Sequence, residues 1–281
     1  MMLENRTYPS YEDEKEFTEL KTIIKKKLGF NCDGYKQAHL KRRLAVRLRA
    51  NNSESYKDYA MTLLNNDNEP EKLKEALTVN VTELFRNPET FEAFYNVGLP
   101  ELFKTKGDNV TIKVWSAGCS NGEEPYSIAI MMLEFLGYRA NKYNISILGT
   151  DIDDDSLRNA ECGVYKPKQL EKISKERLDR FFIKQGDEYA VADDVRNIVN
   201  FKHHDIISGP RMYGFDIIFC RNVTIYFDKN LQEELYMKFY ESLNEGGYFL
   251  MGKTETLIGK TGVLFKPVDI KERIYRKVRQ L

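Results

Sequence analysis

The chain has 281 residues, of which 42% are hydrophobic and 31% are charged, and its formal net charge is zero. This length and composition are typical of a soluble protein with one large domain, alone or with a small second one. No apolar run approaches the roughly 18 residues of a membrane-spanning helix, and the polar N-terminus lacks the apolar core of a signal peptide. We therefore expect a cytoplasmic protein without membrane insertion.

The cysteines and histidines show no grouping that predicts a metal site or a disulfide framework. The four cysteines lie far apart and form no Cys-X-X-Cys pair. Among the three histidines only His203 and His204 are adjacent, and no cluster of carboxylates or thiols accompanies them. We expect no bound metal and reduced cysteines.

Residues 12–78 are predicted to form a small all-helical domain. Apolar residues at helical spacing predict four helices: residues 17–28, residues 37–50, a helix that begins at Ser55, and residues 69–77. Leu40, Leu44 and Leu48 form an i, i+4 stripe on the second helix. No strand pattern occurs in this part of the sequence.

The second helix lies in a basic stretch. Between Lys21 and Lys57, eleven Lys or Arg residues stand against two acidic residues. Five basic side chains fall away from the leucine stripe: Lys41, Arg42, Arg43, Arg47 and Arg49. We expect the four arginines to be exposed. A local basic surface on a neutral protein favours a negatively charged partner, the alternative being a solvated helix face.

From residue 110 to residue 281, predicted strands alternate with helices. The strands are predicted at residues 110–117, 145–151, 215–220 and 248–251, followed by two strands within residues 263–278. Such alternation predicts an α/β fold with a parallel sheet covered on both faces and with ligands at the carboxyl ends of the strands. The final hairpin is expected to add an antiparallel strand at one edge.

Residues 180–202 interrupt this alternation. Short apolar runs at residues 181–183, 189–191 and 198–201 are separated by turn residues. We predict a small antiparallel β insertion on the main sheet, the alternative being a loop with hydrophobic anchors.

The first predicted strand leads into the string WSAGCSNGEEP. Gly118 and Gly122 permit a tight turn, after which the amino end of a helix faces the strand tips. Glu123 and Glu124 lie where a dinucleotide would place its phosphates, so they disfavour a pyrophosphate and favour an amino or sulfonium group. This pattern favours S-adenosylmethionine over NAD, although such acids can also simply complement the helix dipole.

The second predicted strand ends at Asp151. An acidic residue at this position can accept hydrogen bonds from both ribose hydroxyls of a nucleotide. The acidic run that follows it, residues 153–155, is expected to cap the next helix.

Four strings resemble the CheR chemotaxis receptor methyltransferases: NVTELFRNPETFEAF (80–94), WSAGCSNGEEPYSIAI (115–130), GTDID (149–153) and FDIIFCRNVTIYFDKNLQEEL (215–235). Their order and spacing match along nearly the whole chain. The resemblance implies a Rossmann-like methyltransferase domain with an antiparallel subdomain, preceded by a helical domain. It also implies methylation of receptor glutamates, which yields methyl esters and S-adenosylhomocysteine.

The resemblance further implies a set of cofactor contacts: Asn80, Thr82 and Arg86 in a linker at residues 79–109, then Glu123, Asp151, Asp205, Ile206, Arg221 and Asn222. The planar fork of Arg86 suits the carboxylate of the methionine moiety. Glu123 would meet its amino group and Asp151 the ribose. Asp205 departs from the asparagine that is usual in the family, as do Leu84, Cys119 and Asn121 from their usual residues.

Tyr226 resembles the active-site tyrosine of the family. A carboxylate is already nucleophilic at neutral pH, so the site must align and desolvate the reactants and needs no general base. The resemblance implies that the Tyr226 hydroxyl orients the glutamate and that Arg86 helps to hold its charge. Core packing with one polar end is the alternative for Tyr226.

The resemblance also implies that the basic helix faces acidic receptor helices and that the protein is recruited to membrane chemoreceptor arrays. We expect a monomer. A nucleic-acid methyltransferase is disfavoured because Cys-Arg-Asn-Val lacks the proline of the base-methylating motifs. A non-catalytic sensor or scaffold is disfavoured by the set Arg86, Glu123, Asp151 and Tyr226.

Overall fold

The computed structural model describes residues 11–278, with side chains from Asp13 onward. The last three residues of the predicted methyltransferase domain lie outside this range. Within it, contacts divide the chain into two compact units. The helical unit contains residues 11–79 together with Tyr226–Asp228, and the α/β unit contains residues 80–225 and 229–278.

Four helices build the helical unit: α1 (Tyr11–Leu28), α2 (Gln37–Ala50), α3 (Tyr56–Asn65) and α4 (Glu69–Leu77). They confirm the prediction of four helices. Ser55 caps α3, because its side chain accepts a hydrogen bond from the backbone N–H of Asp58. Leu40 and Leu44 of the predicted stripe are buried, with at most 2% of their surface exposed.

The α/β unit begins with residues 80–109, which belong to the linker predicted at residues 79–109. They form α5 (Pro88–Ala93), one π-helical turn (Phe94–Gly98) and α6 (Leu99–Lys106). Phe91, Phe94 and Leu99 belong to the main hydrophobic core. This segment is therefore an integral part of the α/β unit.

Strands and helices alternate in the rest of the unit. The strands are β1 (Thr111–Ala117), β2 (Asn144–Asp151), β3 (Val164–Tyr165), β4 (Phe182–Gln185), β5 (Glu188–Val191), β6 (Val199–His203), β7 (Phe215–Cys220), β8 (Leu243–Met251), β9 (Phe265–Asp269) and β10 (Ile274–Lys277). The helices are α7 (Glu123–Leu136), α8 (Asp154–Cys162), α9 (Lys175–Phe181), α10 (Asp193–Arg196), α11 (Lys229–Ser242) and α12 (Thr261–Leu264).

Seven strands form the main sheet in the order β6-β2-β1-β7-β8-β10-β9. The first five of these run parallel, and β10 pairs antiparallel with both β8 and β9. Val114 of β1 lies opposite Ile147 of β2 on one side and Ile217 of β7 on the other. The chain order therefore reverses beside β1, which is where α/β sheets of this kind bind ligands. The predicted parallel sheet and terminal hairpin are confirmed.

A small antiparallel sheet of order β3-β5-β4 accompanies the main sheet. Its first strand, β3, was not predicted. The prediction that residues 198–201 belong to this insertion is wrong, because β6 pairs parallel with β2 at the edge of the main sheet. Gly149 of β2 makes room there: a Cβ atom at this glycine would lie 2.8 Å from the ring of Phe201.

Helices cover both faces of the main sheet. All six residues of β7 are buried, as are ten of the fourteen residues of α7. Cys32, Cys119 and Cys220 are buried and Cys162 is exposed, each as a free thiol. Among the described residues, no helix combines the length and apolar character needed to cross a membrane.

Candidate active site

Glycine permits the loops after β1 and β7 to approach each other. Gly118 follows β1 with φ +78°, and a Cβ atom built on it would lie 2.5 Å from a methyl group of Val223 in the loop after β7. A larger residue at position 118 would therefore push the two loops apart. They meet at the strand tips where the chain order reverses.

Asp151, at the end of β2, fixes two backbone segments through its carboxylate. Its Oδ2 atom accepts a hydrogen bond of 2.8 Å from Ser120 N, and its Oδ1 atom accepts one of 3.0 Å from Asp153 N. Burial raises the pKa of the Asp151 carboxyl. Each oxygen retains a lone pair, so the carboxylate can still accept hydrogen bonds from hydroxyl groups of a ligand.

Glu123 is the first residue of α7, and only 1% of its surface is exposed. Burial raises the pKa of its carboxyl from 4.5 to about 7. Within the described part of the chain its Oε2 atom has no hydrogen-bond partner. A buried carboxylate without a partner is unfavourable, so this oxygen fits a cationic donor such as an ammonium group.

Three further buried polar atoms at the strand tips have no partner among the described residues: Ser120 Oγ, Arg221 Nε and Asn222 Oδ1. Asn222 has a left-handed backbone, with φ 61°. Together with Glu123, these residues supply both acceptor and hydroxyl groups to the tips of β1 and β7. They fit a ligand with an ammonium group at one end and further polar groups elsewhere.

Glu255 holds the loop that carries Asn222. Only 3% of Glu255 is exposed, and its Oε2 atom accepts hydrogen bonds from Asn222 N at 2.9 Å and Gly252 N at 2.6 Å. Its Oε1 atom accepts from both the backbone N–H and the hydroxyl of Thr224, at 2.9 and 2.8 Å. Sequence reasoning missed Glu255, because only the folded chain shows that these donors converge on one carboxylate.

Arg221 makes internal contacts with its side chain, of which 1% is exposed. Its Nη2 nitrogen donates to Arg86 O at 2.8 Å and to Asn87 Oδ1 at 3.1 Å. The Nη1 nitrogen lies 3.4 Å from Glu124 Oε2, and Glu124 also accepts a hydrogen bond from Ser116. The guanidinium therefore positions residues 86 and 87, and Glu124 serves this internal network.

The segment that precedes α5 is anchored at several points. Asn80 donates to Asp153 Oδ2 at 2.6 Å, and Phe85 N donates to Ser127 Oγ at 2.8 Å. The Arg86 side chain, which is half-buried, donates to Val81 O at 3.0 Å. Thr82, between these anchors, is half-buried. Asn80 and Arg86 are thus linked to the tips of β2 and β7 through Asp153 and Arg221.

Asp205 and Ile206 follow β6 and lie beside the end of β2, where His204 N donates to Asp151 O at 2.9 Å. The Asp205 side chain turns back on its own loop. Its two oxygens accept hydrogen bonds from Ile207 N and Ser208 Oγ. An aspartate suits this position because both partners are donors. Ile206 is half-buried.

Tyr226 belongs to the helical unit. Its carbonyl oxygen accepts a hydrogen bond of 2.8 Å from Lys36 N. Its ring centroid lies 4.4 Å from that of His39, with an interplanar angle of 38°. The tyrosine is half-buried, and the position of its backbone and ring is set by α2 and the residue before it.

The basic residues of α2 are not equally available. Lys41 is half-buried and pairs with Glu14 of α1 at 2.5 Å. The predictions that Arg43 and Arg47 are exposed are wrong: Arg43 is half-buried, and the Arg47 side chain is 17% exposed. The leucine stripe identifies only one buried face, whereas α4 packs against α2 as well and brings the buried Glu69 to Arg47. Arg42 and Arg49 are exposed.

Two family models match the chain. One is described as "CheR methyltransferase, all-alpha domain" and matches residues 15–78. The other is described as "CheR methyltransferase, SAM binding domain" and matches residues 80–274. The fold, the strand-tip residues and the second match define an S-adenosylmethionine-dependent methyltransferase. The two matches together show that the chain belongs to the CheR methyltransferase family, which confirms the resemblance seen in the sequence.

Three relatives with similar sequences carry the name chemotaxis protein methyltransferase. The one from Listeria monocytogenes is 32% identical over 245 residues, which make up 87% of this chain and 91% of the relative. One from Borreliella burgdorferi is 31% identical, over 87% of this chain and 89% of the relative. One from Vibrio parahaemolyticus is 39% identical, over 66% of this chain and 68% of the relative.

Proposed function

We propose that this protein methylates glutamate side chains of chemotaxis receptors, forming glutamate methyl esters and S-adenosylhomocysteine. The names of its relatives support a role in chemotaxis. The observation that carries the proposal lies in the helical unit: Tyr226–Asp228 packs in the same compact unit as the basic helix α2. One unit therefore contains both the residue proposed to orient a glutamate and the helix proposed to meet the receptor.

In this proposal the residues at the strand tips hold the cofactor, whose sulfonium supplies an electrophilic methyl group. Glu123 accepts from its amino group through the unpartnered Oε2 atom. Arg86 binds its carboxylate and Asp151 its ribose hydroxyls. Asn222 contributes its buried, unpartnered Oδ1 atom near the adenine. These four residues supply the charges and hydrogen bonds that an amino acid joined to a nucleoside requires.

Four further residues complete the proposed cofactor site. Asn80 and Thr82 lie on the anchored segment before α5, and Asp205 and Ile206 lie on the loop after β6. Because both terminal nitrogens of the Arg221 guanidinium make internal contacts, we assign this residue the positioning of the segment that carries Arg86.

The acceptor is proposed to be an ionised carboxylate, which needs no general base. The Tyr226 hydroxyl donates to one carboxylate oxygen and fixes the direction of the other, and Arg86 helps to hold the charge. Exclusion of water removes the hydration shell that would otherwise lower the reactivity of the carboxylate. Alignment and desolvation together supply the rate enhancement.

The partner is proposed to be the acidic helical region of a chemotaxis receptor. Arg42 and Arg49 are the exposed arginines of α2 and present positive charge to it. Exposed ion pairs contribute chiefly to the rate of encounter and to specificity. We further propose that the protein works as a cytoplasmic monomer recruited to receptor arrays.

Methyl transfer from labelled S-adenosylmethionine to receptor-enriched membranes tests the proposal. The expected product is labelled membrane protein from which mild base releases the label as methanol, as it does from esters. Membranes from cells without receptors are the matched control and should stay unlabelled. Base-stable label on protein, or label on added nucleic acid, would contradict the proposed acceptor.

A further inference from the structure

His39 of α2 is a buried histidine beside the proposed substrate-orienting tyrosine. Only 8% of its surface is exposed, and its ring contacts that of Tyr226 at a centroid distance of 4.4 Å. Lys36, one helical turn before His39, donates its backbone N–H to the carbonyl of Tyr226. His39 is therefore fixed in relation to Tyr226 by its own ring contact and by the backbone hydrogen bond of Lys36, the residue that precedes α2.

The contacts of His39 define which ring nitrogen carries the proton. The guanidinium of Arg42 lies 3.4 Å from Nδ1 of His39. Arginine is only a donor, so Nδ1 must accept, and the proton of the neutral ring lies on Nε2. Burial and the positive charges of Arg43, Arg42 and Lys36 lower the pKa of His39 to about 4. The ring is neutral at physiological pH.

The Nε2–H group that results has no acceptor among the described residues. Nor does the buried Nε atom of Arg43, which follows His39 by four residues on the same face of the helix. A buried donor without an acceptor is destabilising, and two such donors one turn apart form a site suited to an acceptor-only group. An ionised carboxylate is such a group.

We propose that His39 binds the carboxylate of the substrate glutamate by donating a hydrogen bond from Nε2–H beside the Tyr226 hydroxyl. The inference rests on the proposed function, in which the acceptor is a carboxylate. A neutral donor suits the reaction because the carboxylate loses its charge as the ester forms.

Two substitutions separate hydrogen bonding from packing. His39→Phe keeps the ring against Tyr226 and removes the donor, whereas His39→Gln keeps an N–H donor near the position of Nε2 and removes the ring. We expect His39→Phe to lower kcat/KM for receptor-enriched membranes by about 10- to 100-fold, the scale for a hydrogen bond to a charged group. His39→Gln should recover most of this loss. Both variants should bind S-adenosylhomocysteine normally and keep the wild-type Tm.

The opposite order, with His39→Phe active and His39→Gln impaired, would show that His39 only packs against Tyr226 and would overturn the inference. Wild-type activity in both variants would overturn it too. If His39→Phe lowers the Tm, the comparison is made below its melting transition, where a packing role leaves kcat/KM unchanged.

Nitrogen-15 NMR of histidine side chains gives a readout that does not depend on turnover. The chain has three histidines, and the His39 signals are those missing in His39→Phe. We expect the Nε2–H tautomer and a shift of its resonance on titration with acetate. An Nδ1–H tautomer, or an Nε2 resonance unaffected by acetate, would overturn the inference. Failure of the wild-type protein to methylate carboxylates would instead refute the proposed function and leave this NMR result to decide on His39.

Discussion

Arg47 and Glu69 form a bidentate ion pair, in which Nε lies 2.9 Å from Oε1 and Nη2 lies 2.8 Å from Oε2. The Glu69 side chain is 1% exposed, and the hydroxyl of Tyr59 donates to its Oε1 atom at 2.7 Å. One buried carboxylate therefore connects α2, α3 and α4. Arg47 is the positive charge that makes its burial tolerable.

Arg47→Ala should lower the free energy of unfolding by about 3–5 kcal/mol, because it leaves the Glu69 carboxylate buried without its counter-charge. Urea denaturation measures the loss. Arg49→Ala is the matched control on the same helix, and its exposed side chain should change stability by no more than about 0.5 kcal/mol. Equal effects of the two substitutions would contradict an internal role for Arg47.

Charge reversal at the two exposed arginines, Arg42→Glu with Arg49→Glu, should strongly reduce receptor methylation. Each exposed ion pair contributes only about 0.2–1 kcal/mol, but reversal adds repulsion from acidic receptor helices. The Tm and the affinity for S-adenosylhomocysteine should not change. Rising salt should depress wild-type activity and affect the variant much less. The control is Lys26→Glu with Lys72→Glu, an equal charge change at exposed positions on other helices. If both double variants lose equal activity, net charge and not α2 is responsible.

Binding of S-adenosylhomocysteine should tighten as the pH rises from about 5 to 7. The pKa of Glu123 is about 7 in the ligand-free protein, and an ammonium group beside Oε2 favours the ionised carboxylate. Binding therefore releases a proton below pH 7. The stability of the ligand-free protein changes with pH in the opposite direction, because a carboxyl whose folded-state pKa is raised stabilises the fold at low pH. This contribution is lost as the pH rises from 4.5 to about 7.

Calorimetry across this pH range, in buffers of different ionisation enthalpy, measures both the affinity and the proton release. Glu123→Gln should bind more weakly and with a smaller pH dependence. Asp151, whose pKa burial also raises, acts in the same direction, so the comparison with Glu123→Gln isolates Glu123. A wild-type affinity that is flat between pH 5 and 7 would remove Glu123 from contact with the amino group.

Asp151→Ala should weaken S-adenosylhomocysteine binding by about 1.5–3 kcal/mol, the scale for hydrogen bonds to a charged group. The substitution removes the acceptor proposed for the ribose and also frees the backbone of Ser120. Asp154→Ala, at an exposed position at the start of α8, is the control and should bind normally. Calorimetry that finds wild-type affinity for Asp151→Ala would exclude this residue from the site.

Tyr226→Phe should lower kcat for receptor methylation and leave the affinity for S-adenosylhomocysteine nearly unchanged. The substitution removes the hydroxyl proposed to orient the glutamate and keeps the ring that contacts His39. Steady-state kinetics and calorimetry on the same preparation measure the two effects. A folded variant that has lost cofactor binding would identify Tyr226 as a packing residue.

The helices and the main strands could be predicted because their apolar periodicity is local. The error at residues 198–201 arises because a short apolar run fits the edge of either sheet. Its pairing depends on the space that Gly149 leaves for Phe201, which is a contact across about fifty residues of sequence. Local pattern does not encode that space.

The positions at the strand tips, such as Glu123 and Asp151, could be predicted because topology brings the ends of parallel strands together. Whether a charged side chain is buried or exposed could not be predicted in this way. Arg47 lies off the leucine stripe of its own helix, and only the packing of α4 determines that it is internal. The roles of Glu255 and His39 depend on distant segments of the chain. Glu255 binds backbone N–H groups of the loop after β7, and His39 contacts the ring of Tyr226.

The segment Tyr226–Asp228 has a consequence for the modularity of this protein. Phe227 is 2% exposed, and its ring meets that of Tyr35 edge-on at 4.8 Å. A chain that began at Asn80 would keep all the cofactor residues proposed above. In such a chain Phe227 would lose its ring contact with Tyr35, and Tyr226 would lose its ring contact with His39. Replacement of the helices of residues 11–79 would therefore require a matching segment at residues 226–228, so that the receptor-facing helix and the substrate-orienting tyrosine proposed above would have to change together.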